Sequence, residues 1–303
     1  MLDRHEQVST DRLQVFEWGG WHKFLITHAA PGSQRVEVSP GAMLCSHADR
    51  SRPAMVHVNL SRPQTIFPDY EDWLRVYEDA GRPVLNGYCD SLDKWATQSA
   101  CAKAGILEVR ATPEGDPEET LLIKSRANHR GLHEGLLPSE VAGDMAPPDW
   151  PYPERVHTLK RKEIPDRIWA NRQLTVERYI TNSADRFHRA YVVGEYVAVA
   201  TSVSTKLVKE MSHEHGVELV STPSAASLPL DNKEPISVAF ALAEAMRVDF
   251  AALDLAIDDQ GFVYAIDLNT TPHWGESADL NARLINEMRG AFESLTQSGS
   301  RFA

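Results

Sequence analysis

The sequence predicts an α+β fold, and three stretches carry that prediction. Strand, helix and strand patterns succeed one another up to about residue 88, as in a small α/β unit. From residue 174 onward, β-prone runs separated by tight turn formers predict an antiparallel sheet. Helical periodicity over 235–247 and 278–295 supplies apolar faces to cover that sheet.

At 303 residues the chain can bury a large core and divide into two or three domains. Its composition, 42% hydrophobic and 24% charged, is that of an ordinary globular protein. The net charge of -12 argues against nonspecific nucleic-acid binding and against an anionic membrane surface. It leaves room for phosphate ligands, which need only a local cluster of Lys, Arg and metal. No apolar run reaches the roughly 18 residues of a membrane span. The opening Met1-Leu2-Asp3-Arg4 is not a signal peptide, so a cytoplasmic protein is expected. Three cysteines, Cys45, Cys89 and Cys101, are too few for a disulfide framework and read as reduced thiols. Cys45 and His47 make only half a zinc site, with no second Cys/His pair to complete it.

Taken in order, residues 1–20 are polar and weakly patterned, an arm or a first strand. Stretches 21–29 and 53–60 read as strands. Over 68–80, Tyr70, Trp73, Leu74 and Tyr77 recur at helical spacing, and Gly81 ends the helix. A short strand over 83–86 leads to a helix over 91–105. Ser91 or Asp90 is its expected cap, Asp93 and Lys94 lie in its first turns, and Gly105 closes it. Strands follow over 107–111 and 120–124, the second running into a basic, turn-rich loop. Pro138, Pro147, Pro148, Pro151, Pro153 and Pro165 make 137–165 an irregular excursion. A strand over 174–180 precedes a hairpin over 189–203 with Gly194-Glu195 at its tip, then a polar loop over 206–214. The helix over 235–247 presents Val238, Leu242, Ala245 and Met246 to the sheet. The expected domains are 1–90, 91–173 and 174–303.

The chemistry concentrates in 248–272. Two apolar, β-prone runs flank Asp258-Asp259-Gln260-Gly261, so the segment reads as a hairpin. Asp254, Asp267 and Asn269 are its oxygen-bearing side chains. A loop of two or four residues sets residue 254 opposite 265, which makes Asp254 and Asp267 diagonal neighbours roughly 7 Å apart. Asn269 then shares their face. An odd-length loop would turn the two acids to opposite faces. Carboxylates that close can share a divalent cation; the bland alternative is an edge hairpin with solvated acids.

These pieces, from about residue 84 to 275, resemble the ATP-grasp superfamily, with an N-terminal α/β (pre-ATP-grasp) domain before them. The family pattern closes with an aspartate strand, a turn, and a strand bearing Glu-x-Asn-x-x-Pro. Here those positions read Asp254, then Asp267-Leu268-Asn269-Thr270-Thr271-Pro272, with aspartate replacing the glutamate. The resemblance implies ATP as nucleotide and Mg2+ (or Mn2+) held by Asp254, Asp267 and Asn269. Such hard cations take oxygen ligands and share their shell with substrate phosphates.

The resemblance also implies roles for residues upstream. Lys94 and Lys124 match the family's two nucleotide lysines, although a lone lysine is by default a solvated one. The loop after Lys124 matches the phosphate lid, with Asn128, His129, Arg130 and Gly131 in place of a glycine-rich run. His129 and His133, at i,i+4, also read as a metal pair without a third ligand. Glu177, Arg178, Tyr179 and Ile180 match the strand whose backbone reads the adenine edge, and Asp185 a ribose acceptor. Arg189 matches an arginine beside the transferred phosphate, with Arg186 as the competing assignment. Lys206, Lys209, His213 and His215 fall where the family places acceptor-binding groups. The implied activity is ATP-dependent ligation of a small-molecule carboxylate to an amine or peptide substrate, in a homodimer. A kinase acting on a hydroxyl and a noncatalytic nucleotide-binding protein are the competing readings.

Overall fold

The computed structural model describes residues 13–18, 25–147, 156–203, 218–272, 278–298 and 300–302. The first unit carries β1 (Gln14–Trp18), α1 (Ile26–Ala29), β2 (Gln34–Glu37), β3 (Ala54–Val58), α2 (Tyr70–Asp79) and β4 (Val84–Leu85). Its four strands pair in parallel in the order β2-β1-β3-β4. The aromatic stripe of α2 is buried as its spacing requires, with Trp73 against Phe16 at 4.9 Å between ring centroids. The strand expected over 21–29 is corrected in part: residues 26–29 are a helical turn that buries Ile26 and Ala29, and 21–24 lie outside the described residues. β2 escapes sequence reading because Gln-Arg-Val-Glu is mostly exposed and has no apolar alternation.

The second unit carries α3 (Lys94–Ala104), β5 (Thr120–Ser125), α4 (Ser139–Ala142), β6 (Val156–Lys160), α5 (Asp166–Trp169) and β7 (Leu174–Arg178). Its antiparallel sheet has the order β6-β5-β7. Asp93, not Ser91 or Asp90, caps α3: its side chain accepts from the amides of Trp95 and Ala96. Gly105 closes the helix at φ 77°, a left-handed conformation that glycine adopts without strain. The strand expected over 107–111 reduces to a single bridge, Arg110 to Glu177. The excursion over 137–165 contains β6, whose five residues are all half-buried and so show no period-2 alternation.

The third unit carries β8 (Arg186–Val193), β9 (Tyr196–Val203), β10 (Glu218–Thr222), α6 (Pro235–Ala245), β11 (Phe250–Ile257), β12 (Val263–Asn269) and α7 (Ala278–Ser298). Its antiparallel sheet has the order β10-β9-β8-β11-β12. One face packs on α6 and α3 through Leu242, Ala239, Ala100, Leu253 and Leu255. Ala239 and Ala243 complete the buried face of α6, and Ala245 is exposed. The other face, with Phe250, Ala252 and Tyr191, meets α7 and also Val15, Met55 and Leu85 of the parallel sheet. Asn86, at φ 57°, fixes that junction. Its side chain accepts from the amides of Asp249 and Phe250 and donates to the Phe250 carbonyl.

Candidate active site

The hairpin of β11 and β12 is irregular in a way that decides the site. Its loop has five residues, 258–262, closed by Asp258, which accepts from the amides of Gln260 and Phe262. Ile257 pairs with Val263, Ala256 with Tyr264 and Leu255 with Ala265. Continued regularly, that register sets Asp254 opposite Ile266 and turns Asp267 to the far face. A bulge at Ile266 inserts one residue, and Asp254 pairs with Asp267 instead. The expected register, 254 opposite 265, is therefore corrected: the acids are direct cross-strand partners, not diagonal ones. Asn269, opposite Ala252, lies on the same face.

Basic side chains from two other elements bind these acids, and one from a third lies beside them. Arg189, the partner of Asp254 across β8 and β11, binds it as a fork, Nε to Oδ1 at 2.7 Å and Nη2 to Oδ2 at 3.1 Å. Lys94, in the first turn of α3, reaches Asp267 Oδ1 at 3.2 Å. Lys124, on β5, stands 2.6 Å from Glu177 Oε2 and donates to the Ile266 carbonyl at 3.2 Å. Burial works against the Asp267 charge, but Lys94 and Lys124 outweigh it and hold its carboxyl below the usual range. Burial would likewise lower the Lys124 ammonium, and Glu177 and Asp267 raise it above its ordinary value. At Arg189 the same contest is won by Asp254, which holds the guanidinium above its ordinary value.

The donors fit a hard divalent cation: two facing carboxylates and a nearby amide oxygen, with no soft ligand. Among the described residues no group of three or more His, Cys, Asp and Glu is arranged to hold a metal unaided. The Asn269 amide oxygen accepts from the Thr271 amide at 2.8 Å and its hydroxyl at 3.0 Å, so it is engaged locally.

The remaining sequence candidates are less closely gathered. Asn128, His129, Arg130 and Gly131 form one 3-10 turn. Asn128 is buried with its amide on Ser61 Oγ, Arg130 is exposed, and the His129 side chain lies outside the described residues. Gly131 sits at φ 72°, where a Cβ would meet the Met145 carbonyl at 2.6 Å. His133 lies 3.3 Å from Asn59, so it faces the first unit. Over 177–180, Glu177 is buried on Lys124. The amides of Arg178 and Tyr179 are committed to the carbonyls of Val109 and Thr120. Ile180 follows half-buried, and Asp185 occupies the turn before β8 at φ 51°. Arg186 is exposed and three residues from Arg189, hence on the opposite face. Lys206, Lys209, His213 and His215 lie outside the described residues.

One part of the site was not read from sequence. Arg126 binds Asp93 as a buried fork, Nε to Oδ1 at 3.0 Å and Nη2 to Oδ2 at 2.9 Å, and stacks on Trp95 at 4.2 Å. The Lys94 amide donates to the Arg126 carbonyl at 3.0 Å. The residue that caps α3 thus joins the first turn bearing Lys94 to the end of the strand bearing Lys124.

No family model matches the chain, and no curated protein matches it in sequence. Its structure is similar to that of a RimK domain ATP-grasp protein from Sphaerobacter thermophilus, at 14% identity and TM-score 0.50. That alignment covers 94% of this chain and 99% of that one. The ATP-grasp ligase PsnB, solved with a minimal precursor, Mg and ADP, aligns over 96% of this chain and 100% of its own, at 14% identity and TM-score 0.49. A D-alanine–D-alanine ligase from Bacillus anthracis aligns over 95% and 99%, at 11% identity and TM-score 0.46. The first of these similarities gives the fold: the chain has the ATP-grasp fold over nearly all its length.

Proposed function

We propose that the chain binds ATP with Mg2+ and activates a carboxylate as an acyl-phosphate, which an amine or similar nucleophile then attacks. The observation that carries this reading is the facing pair Asp254 and Asp267, with Lys94, Lys124 and Arg189 converging on them from three elements. Asp254, Asp267 and, once turned from Thr271, Asn269 would hold Mg2+. When bound, the metal supplies neutralisation of phosphate charge.

Lys94 and Lys124 are point charges for phosphate oxygens, and the planar Arg189 suits charge spreading over a phosphoryl or tetrahedral centre. Glu177 to Ile180 and Asp185 border the expected nucleoside, and Asn128 to Gly131 its phosphates. In the first step a substrate carboxylate oxygen bonds to the terminal phosphorus and ADP leaves. In the second the nucleophile bonds to the acyl carbon, phosphate leaves, and the amine gives up a proton. The substrates are a small carboxylate and an amine or peptide.

The test is incubation with ATP, Mg2+ and a panel of carboxylates and amines. ADP release that requires both Asp254 and Asp267, with free phosphate and a new amide, is the expected result. A phosphorylated product without free phosphate would replace ligase by kinase. Bound ATP without turnover across the panel would leave a binding protein.

A further inference from the structure

The two oxygens that would hold metal at Asp254 are both taken by Arg189. We infer, resting on the function proposed above, that Arg189 is the counter-ion of the metal site in the nucleotide-free chain. It yields Asp254 when phosphate oxygens take its guanidinium, so metal binds poorly alone and well with nucleotide.

Three features support the exchange. A guanidinium fork fits a carboxylate and a phosphate with the same geometry, so Arg189 can pass from one to the other without losing its paired bonds. The two side chains are 25% and 22% exposed, so each charged group is partly buried but reaches solvent, and the exchange need not cross a fully dry core. A dication placed on Asp254 beside an unmoved Arg189 would meet like charge at contact distance. Lys94 restrains Asp267 less firmly, through one contact at 3.2 Å from a flexible ammonium. Coupling of this kind is reciprocal: whatever nucleotide does for metal affinity, metal does for nucleotide affinity.

The probe is Mn2+ alone, titrated by electron paramagnetic resonance into nucleotide-free protein. Arg189→Gln is expected to bind Mn2+ about tenfold or more tightly than wild type, the size of a lost charged hydrogen-bond pair. That gain should vanish in Arg189→Gln/Asp254→Asn. Arg189→Lys keeps the charge but not the fork, and should gain several-fold; circular dichroism reports folding of each variant. Unchanged affinity in Arg189→Gln, or a gain that survives Asp254→Asn, overturns the inference. If Arg189→Gln does not fold, unchanged affinity in Arg189→Lys overturns it. Calorimetry of ATP with Mg2+ on the wild type separates the two levels. No ATP binding there ends the functional reading, whereas intact ATP binding with unchanged Mn2+ affinity ends only this inference.

Discussion

Lys124 and Glu177 meet diagonally across β5 and β7 with 2.6 Å between Nζ and Oε2, and the same ammonium donates to the Ile266 carbonyl at 3.2 Å. Ile266 is the extra residue of the bulge. A bulged residue falls out of its ladder, and this one hands its carbonyl to a lysine of another sheet. One irregularity therefore aligns Asp267 with Asp254 and ties the β6-β5-β7 sheet to the β11-β12 hairpin.

Removing Lys124 should expose how much that tie stabilises. Glu177 is 1% exposed, and its Oε1 has no hydrogen-bond partner among the described residues. Lys124→Met strands its charge, at a cost of about 3 kcal/mol or more. Lys124→Met/Glu177→Gln should recover much of the loss, because the buried charge is gone. Urea midpoints of the three proteins decide this, and a single variant within about 0.5 kcal/mol of wild type contradicts it.

Asp254→Asn and Asp267→Asn should each lower metal-dependent ADP release by about a hundredfold or more, the scale of losing one preorganised electrostatic partner in a site of this kind. The amides keep size and some hydrogen bonding, so a loss confined to turnover separates chemistry from unfolding. Equal turnover in either variant, with ADP quantified by chromatography, would remove that acid from the site.

What the sequence could show depended on where the physics is local. The stripe of Tyr70, Trp73, Leu74 and Tyr77 and the existence of a turn after Ile257, though not its five-residue length, are legible in consecutive residues. The register of Asp254 is not, because a bulge leaves no mark in an apolar run such as Ala265-Ile266. β2, β6 and the fork between Asp93 and Arg126 were missed for related reasons. The two strands lack alternation, and the fork joins residues 33 apart whose meeting only the tertiary fold decides. The ion pairs that occupy Asp254 and Asp267 belong to the same class. Sequence order placed the charged groups, but not which of them already hold one another.

The Asp93 fork has two roles that substitution can separate. Asp93→Asn keeps an N-cap but leaves the buried Arg126 with only Asp144, 4.0 Å away and more exposed, at a cost of about 2 kcal/mol. Asp93→Ala removes the cap as well and should cost about 1 kcal/mol more. Both should weaken ATP binding, measured by calorimetry at a temperature where each variant is folded, because the first turn carrying Lys94 is held through this residue. Unchanged ATP affinity in both would show that α3 places Lys94 without the fork.

Glu17 gives the fold a pH dependence of definite sign. It lies on β1 opposite His57 of β3, and burial pushes its carboxyl up to about 7. Arg35, 3.6 Å away, opposes that shift, and Glu37 adds to it. A raised carboxyl binds its proton more tightly in the folded chain. Its contribution is therefore complete below the ordinary value of 4.5 and is lost as pH rises through about 7. Glu17→Gln keeps the shape of the protonated acid and never ionises. The variant and the wild type should therefore match near pH 4.5 and diverge above it, with the variant ahead by up to about 3 kcal/mol at pH 8.5. Urea midpoints at the two pH values measure that divergence. A constant difference between the proteins would mean that Glu17 is ionised in the folded chain throughout, with Arg35 and not the proton as its partner.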